Sequence, residues 1–158
     1  MKSVSWRKAM SGPSAAIRMQ ISTASESDMG QVIALWEACE LTRPWNDPVA
    51  DYRLALANET SAILLARADR DLVASVMTGF DGHRGWVYYL AVDPGHQKQG
   101  LGRKMMEAAE QWLRARDAPK IQLMVRDDND RAIGFYNALG YDVQPVVTIG
   151  KKLGPESS

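Results

Sequence analysis

The sequence predicts a mixed α/β fold, a mostly antiparallel sheet of six to seven strands with helices on both faces. Three observations predict it. Between Ser61 and Val92, three apolar runs are separated only by the short polar turns Ala68-Asp-Arg-Asp71 and Asp81-Gly-His-Arg-Gly85, as antiparallel hairpins require. After Val92, helix-period and strand-period segments alternate, which brings in parallel pairing through helical crossovers. The chain has 158 residues, 46% of them apolar, enough for one domain around one core.

The elements follow in order. Residues 1–16 are rich in Ser and Lys/Arg, and no acidic residue precedes Glu26. They are expected to form a disordered tail outside the fold, with Met19 as an alternative start. Ile17–Ile21 alternates apolar and polar like a half-buried strand. Ser27 or Asp28 can cap a helix carrying Met29, Val32, Ile33 and Trp36 on one face, to about Glu40. Leu41–Pro48 is a proline-broken loop, and a second helix runs from near Asp47 to about Asn58. Ser61–Arg67, Leu72–Phe80 and Trp86–Val92 are the three apolar strands. Leu101, Met105, Ala108 and Trp112 form the core-facing stripe of the next helix. Lys120–Val125 is a strand, Asp130–Leu139 a helix stopped by Gly140, and Val143–Val147 with Thr148–Leu153 supply the last strand material. The domain thus spans 17–153, and 154–158 is a polar tail.

Composition excludes several functions. The net charge is zero, so neither nucleic acid nor an anionic membrane is an expected partner. No apolar stretch approaches the roughly 20 residues that span a bilayer. The lone Cys39 forbids an intramolecular disulfide and fits a reducing, cytoplasmic compartment. His83, His96 and Cys39 give no metal-ligand spacing, so no metal is expected.

One corner carries chemistry. The strand ending at Val92 enters Asp93-Pro-Gly-His-Gln-Lys-Gln-Gly-Leu-Gly-Arg-Lys104 and then a helix. Gly100 and Gly102 permit a tight turn with unshielded amides, the helix start adds its positive dipole end, and Lys98, Arg103 and Lys104 reinforce the sign. Such a corner holds phosphate. Met105 stands where a dinucleotide fingerprint needs its third glycine, and the Gly-Lys-Ser/Thr of a P-loop is missing. A turn that merely caps a helix is the plain alternative.

The spacing Gln97-x-x-Gly100-x-Gly102 resembles the pyrophosphate loop of the GNAT superfamily of N-acetyltransferases. Val125-Arg-Asp-Asp-Asn-Asp-Arg-Ala-Ile-Gly-Phe-Tyr-Asn-Ala-Leu-Gly-Tyr141 resembles the family's second motif, in the elements that follow. The likeness covers about residues 17–153. The cofactor half is similar to the ribosomal-protein alanine acetyltransferases, and Arg43-Pro-Trp-Asn-Asp-Pro48 with Asp81-Gly-His-Arg-Gly85 is similar to the bacterial YpeA group.

The resemblance implies a GNAT fold in which two parallel strands splay apart and acetyl-CoA lies in the gap. Leu90, Ala91 and Val92 would then offer backbone to the pantetheine arm, with Ile121–Val125 as the partner strand. Gln97, Lys98, Gln99, Gly100, Leu101, Gly102, Arg103 and Lys104 would form the pyrophosphate loop. Asn129 matches the pantetheine-contacting Asn, and it could equally be a helix cap. Tyr136 matches the general acid that protonates the leaving thiolate, although it could also be plain core. The usual base positions are empty of carboxylates, because Trp86 and Met124 occupy them. Asp81, His83, Glu40 and Asp47 remain candidates.

Arg43, Trp45 and Asn46 suit a small polar or carboxylate-bearing amine, or else form a rigid turn with Trp45 packed as its anchor. The expected reaction is acetyl transfer to a small-molecule amine or a protein N-terminal amine. The alternative is an acetyl-CoA-binding regulatory domain without transfer. Exposed edges in the last strands leave room for a homodimer.

Overall fold

The computed structural model describes residues 19–155. The expected tail at 1–16 and the first two residues of the first expected strand lie outside them. The order is β1 (Met19–Thr23), α1 (Met29–Ala38), α2 (Pro48–Ala57), β2 (Ser61–Ala68), β3 (Asp71–Phe80), β4 (Gly85–Val92), α3 (Leu101–Arg114), β5 (Ile121–Gln122) and α4 (Asp130–Ala138). Two compact units result, divided between Met124 and Val125.

The first unit is a five-stranded sheet in the order β1-β2-β3-β4-β5. The first three pairings are antiparallel, and β4 with β5 is parallel. β2 and β3 bury consecutive residues, Ala62–Ala66 and Val73–Val76, so both faces of the sheet are covered. One face carries a core of Val32, Leu35 and Trp36 from α1, Tyr52 and Ala55 from α2, and Ile63, Leu65 and Ala91 from the sheet. Two buried polar groups fix its geometry. Trp36 Nε1 donates to Ser75 Oγ at 3.3 Å, and the Tyr52 hydroxyl donates to Ser25 O at 2.6 Å. On the other side α3 packs so closely on β4 that a Cβ at Gly85 would stand 2.6 Å from Leu113 Cδ1.

Local chemistry explains the ends. Asp28 Oδ2 accepts from Ser25 N at 2.9 Å and closes the turn before α1, while its Oδ1 accepts from Arg67 Nη2 at 2.8 Å. The Ser25 amide, foremost, holds the Asp28 carboxyl below its ordinary range. Asp47 caps α2 by accepting from Ala50 N at 3.1 Å, and Pro48 opens the helix.

Three expectations need correction. The buried stripe of α3 is Leu101, Met105, Met106, Ala109 and Leu113, so Leu101 and Met105 stand as read while Ala109 and Leu113 take the places expected for Ala108 and Trp112. Trp112 is half-buried, with the Arg116 guanidinium 3.6 Å over its ring. The strand expected over Lys120–Val125 shrinks to Ile121–Gln122, because β4 stops running beside it. Residues 142–153 form no strand, so the described sheet has five strands rather than six or seven. Their alternating apolar pattern supplies a face but no hydrogen-bonded neighbour, and Val147 and Ile149 stay 83% and 90% exposed.

The tight β4–α3 contact gives a stability test. Gly85→Ala forces the Leu113 side chain aside and is expected to cost about 1–3 kcal/mol. The thermal midpoint then falls by about 2–4 °C per kcal/mol in circular dichroism melts. Gly30→Ala, in α1 with nothing within 4 Å of the new Cβ, should hold or raise the midpoint.

Candidate active site

The loop between β4 and α3 is built from its ends inward. Asp93 accepts from Gly95 N at 3.0 Å and lies 2.9 Å from His96 Nδ1, which shapes the turn after β4. Gln97 Nε2 donates to Val92 O at 3.3 Å and ties the loop back to its strand. Lys98 (φ 68°) and Gly100 (φ 79°) are left-handed, and the residues Gln97–Gly100 are exposed. Gly100 stands at the N-cap of α3 and has no side chain to offer the helix. Lys104 N donates to Gly100 O at 3.1 Å, so the amides of Leu101, Gly102 and Arg103 precede the helical ladder. No acidic residue lies in this first turn, and Arg103 and Lys104 are exposed. The end of a 14-residue helix therefore presents amides, a positive dipole and two cations.

Beside it β4 leaves its neighbour. The β4–β5 ladder holds only Gly85 with Ile121 and Trp86 with Gln122. From Val87 to Val92, β4 has no strand on that side among the described residues. Leu90 and Val92 are half-buried and Ala91 is buried. Within this unpaired stretch β4 carries an extra residue. Ser75 pairs with Ala91 but Met77 with Tyr88, and Tyr89 takes φ 54°. Gly85 faces α3, whereas Tyr89 and Ala91 pack with α1 and α2. Residues four apart share a face in a regular strand, so the bulge has changed the phase.

The bulge also brings together a group that the sequence reading missed. The Tyr89 ring stacks on Trp36 with centroids 3.9 Å apart and planes 8° apart. Its hydroxyl donates to Asp51 Oδ2, on α2, at 2.7 Å. Burial, then the Asp51 hydrogen bond and charge, push the Tyr89 phenol well above its ordinary value. Two adjacent tyrosines interrupting an alternating strand were the signal in the sequence.

Two of the base candidates named from sequence, Asp81 and Asp47, serve structure. Asp81 Oδ1 accepts from His83 N at 2.8 Å and Arg84 N at 2.7 Å, and Oδ2 accepts from Trp86 Nε1 at 3.2 Å. These bonds, the Arg84 amide foremost, hold its carboxyl below the ordinary range. The Asp47 carboxylate is the α2 cap. Glu40 is exposed at φ 57° just after α1, and His83 is exposed in its turn. In the loop between α1 and α2, Arg43 Nη1 donates to Glu40 O at 2.7 Å and Thr42 O at 3.1 Å, so it braces the loop. Trp45 is 66% exposed and is not a packed anchor.

The second unit carries the other motif. Asn129 Oδ1 accepts from Ala132 N at 3.1 Å and caps α4. Tyr136 lies within α4, half-buried, with edge-on contacts to Phe135 (4.9 Å) and Tyr141 (5.8 Å). Burial pushes its phenol up to about 12. Among the described residues no group of side chains could hold a metal ion.

A mixed sheet with parted parallel strands beside a bare helix start is the frame of an acyltransferase. The model of the acetyltransferase (GNAT) family matches residues 31–141. An acetyltransferase of Pectobacterium atrosepticum is 44% identical over 135 residues, covering 85% of this chain and 96% of that one. One from Yersinia enterocolitica is 43% identical over the same shares. Among solved structures, aminoglycoside acetyltransferase AAC(6')-Iy, in complex with a bisubstrate analogue of CoA, superposes with a TM-score of 0.74. That match has 15% identity and covers 87% of this chain and 99% of the other. The chain belongs to the GNAT family of acetyltransferases. It is an acetyl-CoA-dependent N-acetyltransferase by that membership.

Gly100 offers a test of the loop. A Cβ branch at φ 79° costs about 1–2 kcal/mol and distorts the amides behind it. Gly100→Val is expected to weaken acetyl-CoA binding at least tenfold in calorimetric titration, while circular dichroism still reports a folded chain.

Proposed function

We propose that this protein acetylates a small-molecule primary amine by direct attack of the free amine on acetyl-CoA. The observation that carries the reading is the open edge of β4 from Val87 to Val92, beside the uncapped start of α3. Strand amides without a strand partner are ready donors to the amides of a pantetheine arm and to a thioester carbonyl. Leu90, Ala91 and Val92 take that part, with the backbone near Leu90 polarising the carbonyl. The amides from Gln99 to Arg103 hold the pyrophosphate, supported by the side chains of Lys98, Arg103 and Lys104 and by the strand-tied Gln97. Asn129 keeps its capping role and contacts the pantetheine arm, a part that rests on its place in the family motif.

The amine lone pair forms the new C–N bond as the C–S bond breaks, and the acetylated nitrogen gives up its surplus proton to water. Tyr136 gives its proton to the departing thiolate and regains one from solvent, a role assigned by motif position. Its raised pKa supports this assignment, because a phenol near 12 is protonated throughout the neutral range. The exposed Trp45 offers an acceptor a flat apolar face, while the braced Arg43 leaves a substrate carboxylate without its expected partner. The bisubstrate analogue held by the aminoglycoside enzyme joins CoA to acetylneamine, which supports an amine acceptor here. A cytoplasmic setting fits the lone Cys39, and no helix among the described residues is long and apolar enough to cross a membrane.

Thiol release from acetyl-CoA, measured with a panel of primary amines, tests the reading. Amine-dependent release supports it. Binding of acetyl-CoA without release favours a regulatory, non-transferring domain, which the absent glutamates at Trp86 and Met124 keep in view. Tyr136→Phe should keep the acetyl-CoA Kd within about twofold and lower kcat about 100-fold or more. The acid form of Tyr136 is lost only as pH rises through about 12. The wild-type kcat profile should therefore show no falling limb between about pH 7 and 10.

A further inference from the structure

With the usual glutamates replaced and Asp81 and Asp47 engaged in turn and cap, Asp51 is the one carboxylate that hydrogen-bonds to a side chain of the open stretch of β4 among the described residues. Asp51 sits in the first turn of α2, half-buried, and Tyr89 donates to its Oδ2 at 2.7 Å. Oδ1 accepts no hydrogen bond among the described residues. The donor is held unusually firmly. Tyr89 is fixed in a left-handed backbone at the bulge, its ring lies flat on fully buried Trp36, and Trp36 is itself bonded to Ser75. Three elements, β3, α1 and β4, thus converge to aim one carboxylate beside the bend where β4 becomes available to a thioester. A half-buried carboxylate with one oxygen oriented and the other unused is a receptor for an ammonium or amine N–H.

We propose that Asp51 is the residue that binds the acceptor's cationic amine, and that Tyr89 is its positioning residue. The acceptor class is a small amine that is positively charged in water. Asp51 holds the ammonium against the bulge. Once the proton passes to water, the same oxygen accepts from the remaining N–H and keeps the lone pair directed toward the thioester carbon. Tyr89 contributes through Asp51 alone, by fixing the carboxylate plane. This inference rests on the acetyltransferase reading given above, and it adds the acceptor's charge and the group that reads it.

The test uses the full chain with acetyl-CoA and four probes: spermidine, sisomicin, L-alaninamide and an alanine-ended peptide. Initial rates are followed by thiol release, alongside calorimetric titration of acetyl-CoA and thermal melts of each variant. Wild type should acetylate at least one of the three small cations faster than the peptide. For that acceptor, Asp51→Asn should raise KM tenfold or more at unchanged acetyl-CoA Kd. Asp51→Glu should recover part of the loss. Tyr89→Phe keeps the ring stack and should raise the acceptor KM about threefold to fivefold with kcat nearly intact. An acceptor KM for Asp51→Asn within twofold of wild type, in a chain melting like wild type, overturns the proposal. Acetyl-CoA binding with no small cation acetylated overturns the acceptor class. Failure of acetyl-CoA to bind at all overturns the acetyltransferase reading instead.

Discussion

A non-glycine residue held at φ 54° inside a strand costs on the order of 1–3 kcal/mol, and Tyr89 is held there by its surroundings. The stack on Trp36, the hydrogen bond to Asp51 and the burial of Ala91 two residues on all require the left-handed turn. The course of β4 in the first unit depends on that turn. It inserts an extra residue in β4 against β3 and changes which face the strand presents, a few residues beyond the last pair with β5 at Trp86.

The glycine loop follows from where β4 ends. Val92 O receives Gln97 Nε2 at 3.3 Å and Cys39 Sγ at 3.1 Å, so the strand terminus is tied both to its own loop and to the end of α1. From there the chain reaches Gly100 and starts α3 with its first amides bare. Anion affinity at such a place is local. The whole chain is neutral, and in the proposed reading the helix start with Lys98, Arg103 and Lys104 would supply it. The same economy holds for the acidic groups. Asp28, Asp47, Asp81 and Asp93 each close a turn or cap a helix end, and Asp51 alone is directed by a tyrosine on the opened strand.

Much of this is legible in the sequence alone. Alternation and turn chemistry located β2, β3 and β4 to within a residue or two, because hairpin strands carry their register in adjacent sequence. The two GNAT motifs identified the glycine loop and the Asn129–Tyr136 helix at once. What stayed hidden depends on distant partners. The bulge needed Met77 and Trp36 to define it, and Tyr88-Tyr89 alone gave only a break in alternation. Asp51 read as an ordinary first-turn acid, since nothing in the local sequence reveals a hydroxyl 38 residues away. Residues 142–153 show the opposite error. An alternating pattern is necessary for a strand, but a hydrogen-bonding neighbour makes one.

Hydrogen–deuterium exchange across the chain, with and without saturating acetyl-CoA, measures the central claim most directly. The account predicts that protection rises at the amides of residues 87–92 and 99–104 when acetyl-CoA binds, while the already paired β2 and β3 change little. Saturating binding that leaves the β4 amides exchanging as before would contradict it, because the opened strand would then not be the receptor.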